Sequence, residues 1–125
     1  YWIPAAFYMG LIFCLSSYPP PEPARAMPVF GEIKFIHLVE YGILCVLYFF
    51  AIVKTVNIPK SWMYIYSFML TLLYGLTDEL HQVFVPSRSA RLEDIITNML
   101  GAAIAITIIE IFAKFKLLMK RAKSK

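Results

Sequence analysis

The sequence predicts an all-α membrane protein, a bundle of four transmembrane helices joined by short loops. Hydrophobic residues make up 60% of the 125 residues and charged residues only 16%, whereas about 25% charged residues is ordinary for a soluble domain. The charged residues are clustered, and no stretch alternates apolar and polar residues as a half-buried strand does. This composition excludes a disordered or fibrous protein and favours a bilayer as the solvent.

Four apolar stretches are each long enough for a helix to cross a hydrocarbon core of about 30 Å. Ala24, Arg25 and Ala26 after the first stretch resemble a signal-peptide cleavage site, but no basic segment precedes that stretch and we expect it to be retained. Because the chain opens without methionine, we also expect native residues before it. The spans are predicted at about residues 1–18, 34–54, 60–78 and 92–113 of a single domain covering 1–125, with a basic tail at 114–125.

The three connections differ in composition. Five prolines predict an extended loop at residues 18–31, because proline fits poorly inside a helix. Asn57 and Pro59 mark a tight connection at 54–60, and a charged segment at 78–94 joins the last two spans.

The distribution of charge predicts the orientation. Four spans place both termini and the 54–60 connection on one side, which holds eight basic residues against four on the other side. The positive-inside rule therefore predicts cytoplasmic termini. Seven of the eight acidic residues fall on the outer side. The exception is Glu110, which lies four residues before Lys114 and is expected to form a helical ion pair with it.

Polar side chains recur at three-and-four spacing at the outer ends of three spans, which places each set on one helix face. The sets are Lys34, His37 and Tyr41 with Glu40 beside them; Tyr74, Asp78, His81 and Gln82 with Glu79 beside them; and Arg91, Asp94, Asn98 and Gly101. An ionisable side chain at the centre of a bilayer costs on the order of 2.5 to 3.5 kcal/mol, and less near the ends. Because the three sets lie at one depth, we expect them to meet in a polar pocket below the outer surface, closed by the 83–90 loop.

Two interpretations of this cluster remain open. Arginines pairing with carboxylates could simply specify the bundle, or the cluster could be a site in which bases hold phosphate or carboxylate and acids move protons. The candidate catalytic residues are Asp78, Glu79, His37 and Asp94, and the candidate ligand-binding residues are Lys34, Tyr41, Gln82, Arg88, Arg91 and Asn98. Because helical neighbours point about 100° apart, we expect Asp78 rather than Glu79 to face the pocket.

Other chemistry finds little support in the sequence. No ligand spacing such as HExxH is present, so we expect no metal and no other cofactor. Ser87 and Ser89 lie in no GxSxG elbow and are expected to shape a turn. Cys14 and Cys45 are expected to be small buried hydrophobes. The small residues at 101–105 predict a close helix contact, and nothing beyond the basic tail suggests a nucleic-acid partner.

Two segments carry longer motifs, KFIHLVEY at 34–41 and YGLTDELHQVFVPSR at 74–88, the second followed by Asp94 and by NMLG at 98–101. Together they resemble the signature of the VanZ-like family of bacterial membrane proteins. Ser87 departs from the small residue, often glycine, that the family pattern has before the arginine. The resemblance implies a multi-pass protein of the bacterial cell membrane and a link to teicoplanin resistance, with which the founding member of the family is associated.

The cluster and the resemblance lead to one hypothesis and one alternative. In the hypothesis, an outward-facing site acts on or binds a cell-envelope lipid, a cell-wall precursor or a lipophilic glycopeptide, and contributes to glycopeptide resistance of the teicoplanin type. In the alternative, the protein is a non-catalytic membrane subunit or a ligand-sequestering protein whose charged cluster is a structural ion-pair network. Whether the site is catalytic and how many copies assemble stay open.

Overall fold

The computed structural model describes residues 1–18, 30–86 and 88–124, and the side chains of 30–34 fall outside this description. The predicted loop at 18–31 therefore lies almost wholly outside the described residues. The described ranges form four helices and no strand: α1 (Ile3–Ser17), α2 (Phe30–Thr55), α3 (Lys60–Gln82) and α4 (Leu92–Lys123). The predicted all-α fold is confirmed for these ranges.

The starts of three helices follow from local sequence. Pro4 lies in the first turn of α1, where its missing N–H has no helical partner in any case. The carbonyl of Pro59 begins α3 by accepting a hydrogen bond from the Trp62 N–H at 2.9 Å. Arg91 is extended, and its carbonyl accepts the Asp94 N–H at 3.1 Å to begin α4. The acidic first turn and basic last turn of α4 both suit its helix dipole.

Two of the described helices are long and apolar enough to cross a membrane, α2 over Phe35–Thr55 and α4 over Leu92–Lys123. α1 is apolar but has only 15 residues, about 22 Å of helix against a hydrocarbon core of about 30 Å. α3 is long enough but less apolar, because it carries polar side chains that it buries inside the bundle. Length and composition thus support two of the four predicted spans.

α2 is the central helix of the bundle. It packs against α1, α3 and most extensively α4, while α1 contacts α2 and α3. One buried cluster lies between the first two helices and is extended by side chains of α3; it contains Ala5, Ile12, Tyr41, Leu44 and Tyr48. A second lies between α2 and α4 and contains Cys45, Ala102 and Ala105.

The crossing of α2 and α4 depends on glycine. A Cβ atom added at Gly101 would lie 2.1 Å from the backbone oxygen of Leu38, and one added at Gly42 would lie 3.2 Å from the backbone oxygen of Gly101. The predicted close contact at the small residues of α4 is therefore confirmed, although Ala103 faces outward. A side chain at position 101 would force the two backbones apart.

The two cysteines differ in their surroundings. Cys45 is buried, as predicted, but Cys14 is exposed, and both are free thiols. The prediction was wrong for Cys14 because α1 buries only Ala5, Ile12 and Ser16, and position 14 is about 200° around the helix from positions 12 and 16.

At the opposite end of the bundle from the polar cluster, Glu110 links two helices. Its carboxylate lies 3.6 Å from the Lys114 ammonium, which confirms the predicted helical pair. It also accepts hydrogen bonds from Lys60, at 2.8 Å, and from the Tyr64 hydroxyl of α3. No spacing or motif in the sequence indicates this link between α3 and α4.

Candidate functional site

The polar faces of α2, α3 and α4 meet at one end of the bundle. Six polar or ionisable side chains from these helices are buried there: His37, Tyr41, Asp78, Glu79, Gln82 and Asn98. The structure thus brings together six of the ten candidate site residues in the interior. Of the other four, Arg88 and Asp94 lie half-buried at the edge, Arg91 is exposed, and the side chain of Lys34 falls outside the described residues.

Asp78 is held by α2 and by its own helix. The Tyr41 hydroxyl donates to Oδ2 of Asp78 at 3.0 Å, and the Gln82 side-chain amide donates to the same oxygen at 3.1 Å. The other carboxylate oxygen is buried and has no hydrogen-bond partner among the described residues. Asp78 is therefore fixed through one oxygen and keeps the second available as an acceptor.

Glu79 contacts the start of α4 instead. Its Oε2 accepts the backbone N–H of Arg91 at 3.0 Å, while its buried Oε1 lacks a partner in the described structure. Glu79 thereby joins the end of α3 to the start of α4 through one carboxylate oxygen.

Both neighbouring acids are therefore buried, contrary to the expectation that only Asp78 would face the interior. The reason is that this end of α3 packs against both α2 and α4. Asp78 points towards Tyr41 of α2, and Glu79, about 100° around the helix, points towards Arg91 ahead of α4.

His37 and Asn98 both lie near Tyr41, and Asn98 is close enough to His37 to interact with its ring. The rings of His37 and Tyr41 are stacked, with centroids 6.4 Å apart and planes at 22°. A Cβ at Gly75 would lie 3.2 Å from the Tyr41 ring and 3.5 Å from the Asn98 amide nitrogen. The absence of a side chain at Gly75 therefore lets Tyr41 and Asn98 approach the backbone of α3.

Arg88 supplies positive charge from the connection between α3 and α4. A turn positions it, since its backbone N–H donates to the Val85 carbonyl at 3.1 Å. Its charge acts on His37, Glu40 and Glu79. Its Nε atom is buried and has no hydrogen-bond partner in the described structure. Arg88 therefore lies within electrostatic reach of side chains from two helices.

His81 lies apart from this cluster, although its spacing predicted that it would share the face of Asp78. Its Nε2 is 3.0 Å from the Ser17 hydroxyl, and its ring centroid is 4.3 Å from that of Phe13. The physical reason is that α1 packs against this side of α3. Phe13 and Ser17 are four residues apart and therefore lie on the same face of α1. That spacing is the feature of the sequence that could have indicated this contact.

The cluster retains unused hydrogen-bonding capacity. Six buried atoms without partners among the described residues are all found here: His37 Nδ1, Asp78 Oδ1, Glu79 Oε1, Arg88 Nε, and both amide atoms of Asn98. Leaving a buried polar atom unpaired costs about 1–3 kcal/mol, so a site rich in such atoms is suited to water or a polar ligand. In the described ranges no three His, Cys, Asp or Glu side chains form a group that could hold a metal ion.

Comparison with known proteins adds a family. The family model described as VanZ/LLP1 matches residues 1–113, which includes all four helix starts and the whole polar cluster. No curated protein and no solved structure matches the chain.

Proposed function

Because this chain belongs to the VanZ/LLP1 family, we propose that its polar cluster binds or modifies a cell-envelope lipid, a cell-wall precursor or a lipophilic glycopeptide. In this proposal the activity contributes to glycopeptide resistance of the teicoplanin type. The protein is a single multi-pass domain of the bacterial cell membrane, with four spanning helices, both termini in the cytoplasm and the polar cluster facing outward.

The observation that carries the proposal is the set of unpartnered buried atoms. Asp78 and Glu79 offer acceptor oxygens, whereas Arg88 offers an N–H donor and Asn98 offers both kinds of group. A ligand that satisfies them must itself carry donors and acceptors. Hydroxyl, amide and phosphate groups of lipid headgroups and peptides meet this requirement.

The charges of the cluster support the same class of ligand. Arg88 can pair with a phosphate or carboxylate, for which a guanidinium is well shaped. His37 lies within the electrostatic reach of Asp78 and Asp94, and an imidazole beside carboxylates can accept or release a proton. The residues thus suit either binding alone or a reaction with proton transfer.

The four-span topology is supported by how α3 distributes its side chains. Its buried positions include Ser67, Thr71 and Asp78, so its polar groups face the other helices. Its exposed positions include large apolar side chains such as Ile65 and Leu73. A helix of this kind can meet lipid with its outer face although its average composition is only moderately apolar.

The test compares teicoplanin sensitivity in a susceptible bacterial host expressing the parent chain or single variants at matched levels. We expect Asp78→Asn, Arg88→Ala and Asp94→Asn each to reduce protection. Glu110→Gln, at the other end of the bundle, is the matched control and should protect like the parent. Full protection by all three site variants, shown to be folded, would contradict the proposal.

Mass spectrometry of lipids that copurify with each variant separates catalysis from binding. A chemically altered lipid that disappears with Asp78→Asn would identify an enzyme. An unaltered lipid that is retained by the parent and lost with Arg88→Ala would identify a binding protein.

The alternative is a non-catalytic membrane subunit or sequestering protein in which the cluster only joins helices. The bonds from Tyr41 to Asp78 and from the Arg91 amide to Glu79 favour it, because they already link α3 to both neighbours. It predicts that the site variants lower stability in proportion to their loss of protection. If the cluster is a binding or catalytic site, the same variants should lose protection while their stability stays unchanged.

A further inference from the structure

An apolar groove of about 320 Å³ runs along the crossing of α2 and α4. Its walls include Leu38, Ile43 and Val46 from α2, and Ile104 and Ile108 from α4. These are the two helices with the length and composition of membrane spans. In a bilayer the groove therefore opens to the hydrocarbon region.

We infer that this groove holds one acyl chain of a membrane lipid whose headgroup lies at the polar end of the same helices. The inference rests on the proposed function, because it assigns the apolar part of the ligand whose polar part the cluster binds. Among the ligands proposed for the cluster, this inference selects a membrane lipid and excludes a soluble cell-wall precursor.

The length and position of the groove fit an acyl chain. From Leu38 to Leu47, α2 rises about 14 Å at 1.5 Å per residue, close to half of a hydrocarbon core of about 30 Å. The groove begins at Leu38, next to His37 of the cluster, and runs away from it. A chain in the groove therefore spans one leaflet, and its headgroup lies at the depth of the polar side chains.

The groove is unsuited to a second helix. Close helix packing in membranes uses small residues, but the two glycines here are already occupied by the contact between α2 and α4. Gly101 lies against the backbone of Leu38, and Gly42 lies against Gly101 itself. The side chains that remain exposed are branched ones such as Ile43 and Ile104, which hold a second backbone at a distance.

The test uses the full chain in phosphatidylcholine vesicles that contain a small share of phosphatidylglycerol with a photoreactive diazirine midway along one acyl chain. After irradiation, mass spectrometry maps the labelled peptides. We expect label to concentrate on residues 38–47 and 101–108. Ile43→Trp, which fills the groove, should lower this labelling at least several-fold, and Ile108→Trp provides a second filling variant if the first does not fold. Leu73→Trp, on the exposed face of α3, is the matched control and should label like the parent.

Two outcomes would overturn the inference. One is label spread evenly over the exposed apolar faces, unchanged by Ile43→Trp. The other is rapid disulfide-linked dimer formation by Ile104→Cys in a Cys14→Ser background together with absent groove labelling, which would assign the groove to a second copy.

Groove labelling is independent of the resistance assay. If the groove is not labelled but Asp78→Asn loses protection, only this inference fails; if the groove is labelled but all folded site variants protect, only the proposed function fails.

Discussion

The Tyr41 hydroxyl donates a hydrogen bond of 3.0 Å to Asp78, and both side chains are buried where α2 meets α3. Removing the hydroxyl leaves that carboxylate oxygen with the Gln82 amide as its one remaining donor among the described residues. We predict that Tyr41→Phe lowers the free energy of unfolding by about 1–3 kcal/mol, measured by denaturation in detergent.

Tyr48→Phe is the control for this prediction. The Tyr48 side chain is also largely buried and its hydroxyl donates at 3.0 Å, but to the thioether of Met9, which is a weak acceptor. We expect Tyr48→Phe to cost less than Tyr41→Phe. Equal losses from the two variants would show that the bond to Asp78 contributes nothing specific.

The crossing of α2 and α4 makes a second prediction. Gly101→Ala places a Cβ 2.1 Å from the Leu38 carbonyl oxygen. Because the backbone of residue 101 fixes the position of that Cβ and the oxygen belongs to the backbone of α2, no side-chain movement relieves the clash. Overpacking of this kind costs roughly 1–3 kcal/mol or more, so we expect a lower midpoint of thermal unfolding and a smaller monodisperse fraction in detergent.

Gly10→Ala is the matched change on α1, where an added Cβ meets no atom within 4 Å. Alanine is favoured over glycine in a helix by up to about 1 kcal/mol, so this variant should be as stable as the parent or slightly more stable. Loss of stability from Gly10→Ala but not from Gly101→Ala would contradict the described crossing.

The polar end of the bundle could be predicted well from the sequence, because its polar residues recur at helical spacing. Spacing of three and four residues places His37 with Tyr41, and Asp78 with Gln82, on shared helix faces whatever the tertiary structure is. We predicted that these faces meet because ionisable groups are costly in a bilayer. The structure buries all four side chains in one place.

Contacts between helices were harder to predict because periodicity does not say which neighbour a face meets. His81 has the spacing of the Asp78 face, yet it contacts Ser17 of α1. Glu110 was paired correctly with Lys114 along its helix, but its shorter contact is with Lys60 on another helix. Both contacts depend on how the helices pack against one another. The spacing of residues within one helix does not determine that packing.

The contact of His81 with α1 leads to a third prediction. Its bond to Ser17 and its ring contact with Phe13 join the end of α1 to α3. His81→Ala removes both. Such a hydrogen bond contributes about 0.5–1.5 kcal/mol. Its loss should therefore make local opening of the end of α1 about two- to tenfold more frequent. We expect hydrogen exchange at residues 13–17 to accelerate accordingly, while exchange in α4 stays unchanged.

Leu80→Ala is the control, because Leu80 is the neighbouring residue and is 63% exposed. It shortens an apolar side chain on the same turn without touching the contact with Ser17. Exchange at the end of α1 should therefore match the parent. Acceleration by Leu80→Ala equal to that by His81→Ala would assign the effect to general loosening of α3.

The last prediction concerns orientation, since the proposed outward-facing site requires the connection between α3 and α4 to lie outside. Ser89 and Asn57 are exposed positions in the two connections that flank α3. In a Cys14→Ser background, we expect Ser89→Cys in intact cells to react with a membrane-impermeant maleimide. Asn57→Cys should react only after the cells are opened, because the basic residues on its side favour the cytoplasm. The reverse pattern would place the polar cluster at the cytoplasmic face and remove its access to external glycopeptide, and equal labelling of both positions in intact cells would contradict a membrane-spanning α3.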